Sequence, residues 1–265
     1  MRAVTPMNQY QPASGWTLEG DLADRFLIMS GHEILLTPDG NYLWQKQAWM
    51  EGLDAVRTGK LDAHSVSIIQ TDNVPAEGTV VNVRQLMATQ PAAMVAFYSH
   101  ASQILRSQKD HRYCGCCGSP CSPRVGEWAM VCSTCDMSYY PRISPCIIVL
   151  IHKGDEVLLV QHKKHLRNTS IHTVIAGFIE PGETAEEAVV REVREEVGIE
   201  VGQIEYCLSQ SWPFPHALML GFRAEFKSGD ICLEEEELVS GGWFHRDNLP
   251  EIPPQFTISR QLIDI

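Results

Sequence analysis

The chain has 265 residues, of which 44% are hydrophobic and 20% are charged, and its formal net charge is -12 at pH 7. The composition is typical of a globular enzyme, and the acidic balance argues against a general nucleic-acid coat, because such binding neutralises phosphates with Lys and Arg. Residues 1–11 show no secretory signal, and no apolar run approaches the roughly 20 residues that span a bilayer, so we expect a cytoplasmic protein with no membrane partner. An acidic protein that binds a polyphosphate also needs a divalent cation to bridge the like charges.

The first 108 residues predict an N-terminal mixed α/β domain. Residues 34–36 and 42–44 flank a Pro-Asp-Gly-Asn turn signal and predict a hairpin. The other predicted elements are a strand at 80–83 and one helix at 87–105, which is Ala-rich with apolar residues at helical spacing. The domain contains no phosphate loop or Gly-rich dinucleotide fingerprint, so we expect it to serve packing or dimerisation.

Residues 109–142 contain six of the nine cysteines. The odd total and the absent secretory signal argue against a disulfide framework. Two Cys-x2-Cys pairs, separated by 14 residues, could instead place four thiolates around one tetrahedral Zn²⁺. The four cysteines of these pairs are Cys114, Cys117, Cys132 and Cys135.

Alternatives to this zinc site are weaker. Cys116 and Cys121 could take part in another pairing, but the repeated x2 spacing favours the first four. A closed four-thiolate site has no open position for water or substrate, so we expect the zinc to be structural. A ribbon that grips nucleic acid is less favoured, since few basic residues accompany Arg112 and Arg124.

Residues 143–265 predict strands mixed with few helices, which indicates an α+β or α/β sandwich. The apolar runs 146–151 and 157–160 flank a Lys-Gly-Asp turn and predict a hairpin. Further strands are predicted at 173–175, 206–209 and 218–226.

One strong helix is predicted between these strands. Thr184, followed three residues later by Glu187, is a capping box that begins it, and Gly198 is a natural C-terminal stop. Apolar residues recur every four positions inside it and predict a buried stripe. The members of this stripe are Ala185, Val189, Val193 and Val197.

Glu192, Glu195 and Glu196 are spaced so that they project from one neighbouring face of this helix. Three clustered carboxylates repel one another, but Mg²⁺ or Mn²⁺ would bind them, because these ions prefer oxygen ligands. Arg191 could orient one of the carboxylates. The alternative from spacing alone is a solvated charged face.

The register of the segment resembles the Nudix box, G-x5-E-x7-R-E-U-x-E-E-x-G-U, in which U is aliphatic. Every fixed position is filled, by Gly177, Glu183, Arg191, Glu192, Val193, Glu195, Glu196, Gly198 and Ile199. The resemblance implies a Nudix α/β/α sandwich. It also implies that the three box glutamates and Ala176 belong to an Mg²⁺ or Mn²⁺ site, that Glu196 is essential as ligand or base, and that Glu183 and Arg191 support the geometry.

The segment 209–217 resembles the SQPWPFPxS motif of the NADH pyrophosphatase branch of this superfamily, with Ser211 in place of the first proline and Ala217 in place of the last serine. From composition alone, its two aromatics could pack in a core or form stacking walls for flat rings. The resemblance implies that the segment binds substrate through Gln210, Ser211, Trp212, Pro213, Phe214, Pro215, His216 and Ala217.

That branch also carries an N-terminal domain and a zinc ribbon, so the resemblance covers most of the chain. It implies a homodimer with composite active sites and further substrate contacts at Glu127, Tyr140, Arg84 and Ser259. Surface salt bridging is the alternative role for Arg84, and helix capping is the alternative for Ser259. Glu237 is expected to join the metal site, although the acidic run 234–237 leaves the register open by one residue.

The expected activity is metal-dependent cleavage of the diphosphate of NAD(H) to AMP and nicotinamide mononucleotide, with Glu192, Glu195 and Glu196 as catalytic residues. Removal of an NAD cap from an RNA 5′ end breaks the same bond, so the two substrates stay open. ADP-ribose or a diadenosine polyphosphate is an alternative substrate. A non-catalytic zinc-ribbon binding protein is disfavoured, because the box has lost no glutamate.

Overall fold

The computed structural model describes residues 10–16, 24–31, 33–72, 78–163 and 170–265. The chain divides into two compact units, Met1–Arg142 and Ile143–Ile265. In these described ranges no helix has both the length and the apolar character that a membrane crossing requires.

The described strands at the start of the first unit form a six-stranded sheet in the order β1-β4-β5-β2-β3-β6. Its strands are β1 (Tyr10–Pro12), β2 (Arg25–Ser30), β3 (Glu33–Leu36), β4 (Ala55–Leu61), β5 (His64–Gln70) and β6 (Thr79–Asn82). Two helices follow, α1 (Val83–Thr89) and α2 (Ala92–Asp110). The strand predicted at 80–83 is confirmed as β6, one residue earlier than expected.

The hairpin predicted around the Pro-Asp-Gly-Asn turn is wrong. The turn forms, with the Thr37 amide donating to the Asn41 carbonyl at 2.8 Å, but the segment 42–44 that follows it does not pair with β3. Both edges of β3 are already occupied, by β2 and β6. The chain therefore pairs with β2 beyond the end of β3, where Trp44 and Phe26 exchange two backbone hydrogen bonds of 2.8 Å.

The single helix predicted at 87–105 is also wrong, because Pro91 divides it. The proline lacks an amide hydrogen and restricts the residue before it to extended backbone. Gln90 accordingly has φ -98° and ψ 154°, so α1 ends at Thr89 and α2 begins at Ala92.

The remainder of the first unit is a three-stranded ribbon in the order β7-β8-β9. Its strands are β7 (Cys121–Arg124), β8 (Ala129–Cys132) and β9 (Ser138–Tyr139). The antiparallel register places Cys121 opposite Cys132. The predicted division of the first unit at residue 108 stays a prediction.

The second unit is built on the sheet order β13-β14-β10-β11-β15, with β12 paired to β10. Its elements are β10 (Ser144–Lys153), β11 (Glu156–His162), β12 (Ile175–Phe178), α3 (Ala185–Val197), β13 (Glu200–Trp212), β14 (Ala217–Ser228), β15 (Leu238–His245) and α4 (Ile258–Ile263). The predicted hairpin is confirmed, since β10 and β11 are antiparallel with Lys153 opposite Glu156. The strand expected at 173–175 begins later, at Ile175, while Thr173 makes only an isolated bridge to Val160.

Alternate side chains of β10 pack into two different apolar clusters, one on each face of the sheet. Ile147, Val149 and Ile151 pack in the apolar cluster that contains the buried side of α3. Ile148 and Leu150 point the other way, into the cluster that contains α4. Successive side chains of a strand lie on opposite faces, so the sheet is covered by a helix on each side, as the predicted α/β/α fold requires.

Local signals place the ends of α3 where the sequence predicts them. The Thr184 side chain accepts from the Glu187 amide, and the Glu187 carboxylate accepts from the Thr184 amide at 2.8 Å. Gly198 ends the helix in the left-handed region, at φ 73°, which favours glycine. Val189, Val193 and Val197 are fully buried as predicted, whereas Ala188 is more deeply buried than Ala185.

Candidate active site

The three box glutamates differ in their burial. Glu196 as a whole residue is 4% exposed. The side chain of Glu192 is 14% exposed and that of Glu195 is 59% exposed. A solvated charged face would leave all three in water. Since burial of a carboxylate is costly unless it is compensated, the arrangement points to a role in binding positive charge.

Arg191 holds this part of the helix to the preceding loop. Its guanidinium makes two hydrogen bonds to Glu183, of 2.8 and 2.9 Å, and a third of 2.8 Å to the Phe178 carbonyl. The remaining nitrogen, Nη1, donates to Glu192 at 2.7 Å and to Glu195 at 3.0 Å. One side chain therefore fixes the loop and orients two of the three carboxylates.

Gly177 lets the backbone of β12 approach the carboxylate of Glu192. A Cβ atom at Gly177 would lie 1.9 Å from Cδ of Glu192, so any other residue would displace the carboxylate. Ala176, which was expected to belong to the metal site, is the residue before Gly177 in β12. The Gly of the box is required by close approach rather than by a turn.

Electrostatics link Glu237 to the same group. Burial raises the pKa of Glu192, the Arg191 guanidinium opposes that rise, and the charges of Glu195 and Glu237 add to it. Glu237 precedes β15, and its carbonyl accepts from the Lys163 amide at 2.8 Å. This favours the register in which Glu237, within the run 234–237, belongs to the site.

The donor set fits a hard divalent cation, because it consists of carboxylates on and beside one helix face. The carboxylates lie farther apart than the ribbon thiolates. In the described ranges, the four ribbon cysteines form the one group of three or more His, Cys, Asp or Glu residues whose ligand atoms all lie within 4.8 Å of one another. Nη1 of Arg191 contacts both Glu192 and Glu195, so a positive charge already lies between them.

The ribbon thiolates fit zinc. Cys114 and Cys135 have their sulfurs 3.5 Å apart, as do Cys117 and Cys132, against about 3.8 Å expected around a tetrahedral Zn²⁺ with Zn–S bonds near 2.3 Å. The Tyr139 hydroxyl lies 3.1 Å from the Cys114 sulfur and is the main reason that the pKa of this thiol falls to about 6. The thiolate form, which metals bind, is favoured at Cys114, whereas the neighbouring Cys114 sulfur raises the pKa of Cys135.

The aromatic segment predicted to bind substrate is the turn between β13 and β14. The Phe214 amide donates to the Trp212 carbonyl at 2.8 Å, and the two rings meet at 66° with centroids 5.2 Å apart. Both rings are half-buried, while Pro213 is buried and Pro215 is exposed. The turn is rigid and keeps part of each aromatic ring accessible.

His216, at the end of this turn, contacts Ser144 at the start of β10. Nδ1 of His216 lies 3.2 Å from the Ser144 hydroxyl, and the His216 carbonyl accepts from the Ser144 amide at 2.9 Å. Ala217 is buried as the first residue of β14, and Ser211 is exposed near the end of β13.

The side chain of Gln210, on β13, holds the segment at the start of α4. The Gln210 amide nitrogen donates to the Phe256 carbonyl at 2.8 Å, and its oxygen accepts from the Ile258 amide at 2.8 Å. Both ends of the amide are thus used within the fold, which makes Gln210 a positioning residue for this segment.

The helix-capping alternative for Ser259 is wrong. Thr257 caps α4, because its side chain accepts from the Arg260 amide. Ser259 is buried, and its hydroxyl lies 2.7 Å from that of Thr173.

Two of the contacts predicted in the first unit meet on the ribbon. The Tyr140 hydroxyl donates to Glu127 at 2.7 Å, while Arg124 donates to the other oxygen of Glu127 at 2.9 Å. Tyr140 nevertheless remains 54% exposed, so its ring is presented rather than packed. Arg84 lies apart from them in the first turn of α1, exposed, with its amide donating to Asn82 at 2.9 Å.

Known protein families match both the ribbon and the second unit. Residues 109–140 match the NADH pyrophosphatase zinc ribbon domain, and residues 141–264 match the NUDIX domain. A protein named NAD-capped RNA hydrolase NudC from Stutzerimonas stutzeri is 38% identical over 255 residues, which are 94% of this chain and 91% of that protein. The chain belongs to the NADH pyrophosphatase branch of the Nudix hydrolases.

Further relatives in this branch carry the same name. The protein from Escherichia coli O17:K52:H18 is 41% identical over 239 residues, 89% of this chain and 91% of the relative. The protein from Salmonella paratyphi C is 44% identical over 213 residues, 80% of each chain.

Sequence analysis of this Nudix hydrolase did not predict roles for Arg124 and Thr173. Both act through a predicted residue, Arg124 by holding Glu127 and Thr173 by holding Ser259. The three-residue spacing of Arg124 and Glu127 is a weak signal for the first pair. Thr173 and Ser259 are 86 positions apart, so no local pattern could have joined them.

We expect the Glu183–Arg191 contact to stabilise the fold in a pH-dependent manner. Arg191, and next the Glu180 amide, lower the pKa of Glu183 from 4.5 to about 2. A carboxyl whose pKa is depressed by folding stabilises the protein above its unfolded pKa and loses that effect as pH falls through the folded value. Glu183→Gln should therefore unfold at lower urea concentration than the wild type at pH 7, with the gap narrowing below pH 4.5.

The matched control for this comparison is Glu186→Gln, an exposed glutamate in the first turn of α3. It should shift the urea midpoint less than Glu183→Gln at pH 7. A gap between wild type and Glu183→Gln that stays constant from pH 7 to the acid limit would contradict the assignment.

We expect one zinc ion per chain. Cys132→Ser removes a buried ligand and should lower the zinc content measured by elemental analysis to a small fraction of the wild-type value, with loss of thermal stability. Cys116→Ser is the control, because Cys116 is exposed in the same ribbon but outside the four-thiolate group. Equal zinc loss in the two variants would rule out the assigned ligand set.

Proposed function

We propose that this Nudix enzyme hydrolyses the central diphosphate of NAD(H), releasing AMP and nicotinamide mononucleotide, and removes the NAD cap from RNA 5′ ends to leave a 5′-monophosphate. The observation that carries the proposal is the group of box carboxylates, two of them largely buried, in a unit that also contains a turn with two partly accessible aromatic rings. The names of the relatives support the same substrate class.

The diphosphate requires charge neutralisation before water can attack it, because its anionic oxygens repel nucleophiles. Glu192, Glu195 and Glu196, with Glu237, would hold Mg²⁺ or Mn²⁺, and Ala176 lies next to this group. When bound, such ions neutralise the diphosphate and lower the pKa of a coordinated water. The ribbon zinc has no such role, since its four thiolates close the coordination sphere.

The residues of the chain itself position the reactants. Arg191 fixes Glu192 and Glu195 and so limits the directions in which their oxygens face. Glu196, the most buried of the three, would accept the proton of the attacking water or act as a ligand of the cation. Water supplies its oxygen to one phosphorus, and the bridging oxygen leaves with the other phosphate.

Flat rings at both ends of the substrate require stacking surfaces. Trp212 and Phe214 offer two half-buried rings within the second unit. In the first unit, Tyr140 has an exposed ring whose hydroxyl Glu127 holds, and its role as a substrate contact follows from the family resemblance alone. Aromatic side chains held in this way bind a nucleobase or nicotinamide with little loss of side-chain freedom.

We further propose that the active enzyme is a cytoplasmic homodimer. The proposal follows from the family resemblance alone. Light scattering of the purified protein should give the mass of two chains, and a monomer at working concentration would rule it out.

Glu196→Gln should lower kcat/KM for NADH by at least about a hundredfold, because the amide cannot act as a base or as an anionic ligand. Circular dichroism and the urea midpoint should show that the fold is kept. The control Glu186→Gln removes a charge from an exposed position of the same helix and should keep near-normal turnover. Near-normal turnover in Glu196→Gln would exclude the assigned role.

The substrate assignment requires a side-by-side panel. NADH, an NAD-capped RNA and ADP-ribose should be compared with Mg²⁺ and with Mn²⁺, and the products identified. We expect AMP and reduced nicotinamide mononucleotide from NADH, and 5′-monophosphate RNA from the capped RNA. Hydrolysis of ADP-ribose far above both would overturn the substrate class while sparing the reaction type.

A further inference from the structure

The N-terminal sheet domain contains a cavity that the proposed chemistry does not use. Its volume is about 710 Å³, within the range of roughly 300–1,000 Å³ found for small-molecule sites. It is bounded by the start of β2, by the segment 37–49 and by the break between α1 and α2.

The cavity lies where the chain departs from its local sequence preferences. One wall is the segment that would have completed a hairpin with β3 but pairs with Phe26 instead. The facing wall contains Gln90, which the following proline holds in extended backbone. Departures from local preference are expected at functional sites, because the fold stabilises them elsewhere.

Aromatic side chains form the apolar part of the lining. Trp44 is 5% exposed, and its indole nitrogen donates to the Leu35 carbonyl at 2.8 Å, so it is a fixed part of the wall. Trp49 stands at 90° to it with ring centroids 5.7 Å apart and is only half-buried. Trp49 therefore offers a held but accessible ring on which a flat ligand could stack.

The polar part of the lining combines one cation with several amides. Arg25 is the one basic residue of the lining. Among the described residues its guanidinium donates to the Asp24 carbonyl at 2.8 Å and makes no ion pair. The lining amides are those of Asn41, Gln45, Gln47 and Gln90.

The acidic residue of the lining is already engaged. Asp39 accepts from the Asn41 amide at 2.7 Å, and its pKa is lowered chiefly by a hydrogen bond from Thr37. Its charge is therefore satisfied within the turn at the rim, whereas no acidic residue in the described ranges pairs with Arg25. The lining thus suits a ligand with a flat ring, hydrogen-bonding edges and a negative charge.

We propose that this cavity binds one nucleotide unit, with the base against Trp49 and the phosphate at Arg25. Side-chain amides pair with the donor and acceptor edges of bases, and a guanidinium forms charge-assisted hydrogen bonds to phosphate. The unit is either a free mononucleotide or one nucleotide of an RNA strand, since both present the same groups.

Isothermal titration of the full-length protein tests the proposal. The Glu196→Gln background, without added Mg²⁺ or Mn²⁺, prevents turnover of the probes. The probes are AMP and a 5′-monophosphorylated oligoadenylate. The added variants are Arg25→Gln, Trp49→Ala and Trp49→Phe, and the control is Lys46→Gln, which removes a cation from an exposed neighbour outside the lining.

Loss of one stacked base weakens binding by about fivefold or more. We expect Trp49→Ala and Arg25→Gln each to weaken binding by at least that factor relative to Lys46→Gln, with Trp49→Phe close to wild type. Weakening with both probes identifies a free-nucleotide site, and weakening with the oligonucleotide alone identifies a strand contact. Any binding of AMP at the active site is a component common to all variants, so only the component that changes in Arg25→Gln and Trp49→Ala reports on the cavity.

Unchanged binding in Arg25→Gln and Trp49→Ala overturns the proposal, as does equal weakening by Lys46→Gln. Trp49 also packs against the cluster around Phe26 and Trp44, so melting curves must accompany its variants. Arg25→Gln keeps the proposal falsifiable if Trp49→Ala fails to fold. NADH hydrolysis, measured for Arg25→Gln with Glu196 intact, should match the wild type, so failure of this proposal is distinct from failure of the proposed activity.

Discussion

Burial of negative charge on α3 is the constraint on which the second unit depends. Glu192 and Glu196 lie against the sheet, where removal of a carboxylate from water is costly unless positive charge compensates it. Arg191 supplies one positive charge and shares it among Glu183, Glu192 and Glu195. One guanidinium cannot neutralise the whole group, and the remaining negative charge supports the proposal that this site binds divalent cations.

The same constraint explains why several local contacts hold α3 and its carboxylates in place. Gly177 brings the β12 backbone against the Glu192 carboxylate, and the capping box at Thr184 begins α3 about two turns before Arg191 and Glu192. Val189, Val193 and Val197 anchor the opposite side of the helix in the core. The unfavourable electrostatics of the carboxylates are thus offset by apolar packing and by helix capping, which are independent of them.

Sequence analysis predicted this helix well because its signals are local. A cap, a four-residue apolar repeat and a left-handed glycine all act within one element, and each was found where expected except at Ala185, which is only half-buried. The N-terminal hairpin was predicted wrongly because strand pairing is non-local: β3 is paired to β2 and to β6, and the latter begins at Thr79, far along the chain. Pro91 was visible, but the Ala-rich apolar pattern on both sides of it concealed the break.

Predictions for the site followed the same division. The grouping of the α3 carboxylates could be predicted from their spacing, whereas the partners that orient the other predicted contacts could not. Gln210 illustrates the limit, because its motif position suggested a substrate contact but its amide is bonded at both ends to the segment before α4. Phe256 and Ile258 lie 46 and 48 positions after Gln210 in the sequence. Only the folded backbone therefore shows that Gln210 holds this segment.

The zinc ribbon and the proposed Mg²⁺ or Mn²⁺ site differ in how they would bind a cation. The ribbon gathers four soft thiolates within 4.8 Å of one another, and such a site closes around zinc and excludes other ligands. The Nudix helix offers hard oxygen donors at graded depths, from buried Glu196 to exposed Glu195, with Arg191 between them. A site of this kind leaves coordination positions for phosphate oxygens and water, so the looser arrangement is the one suited to catalysis.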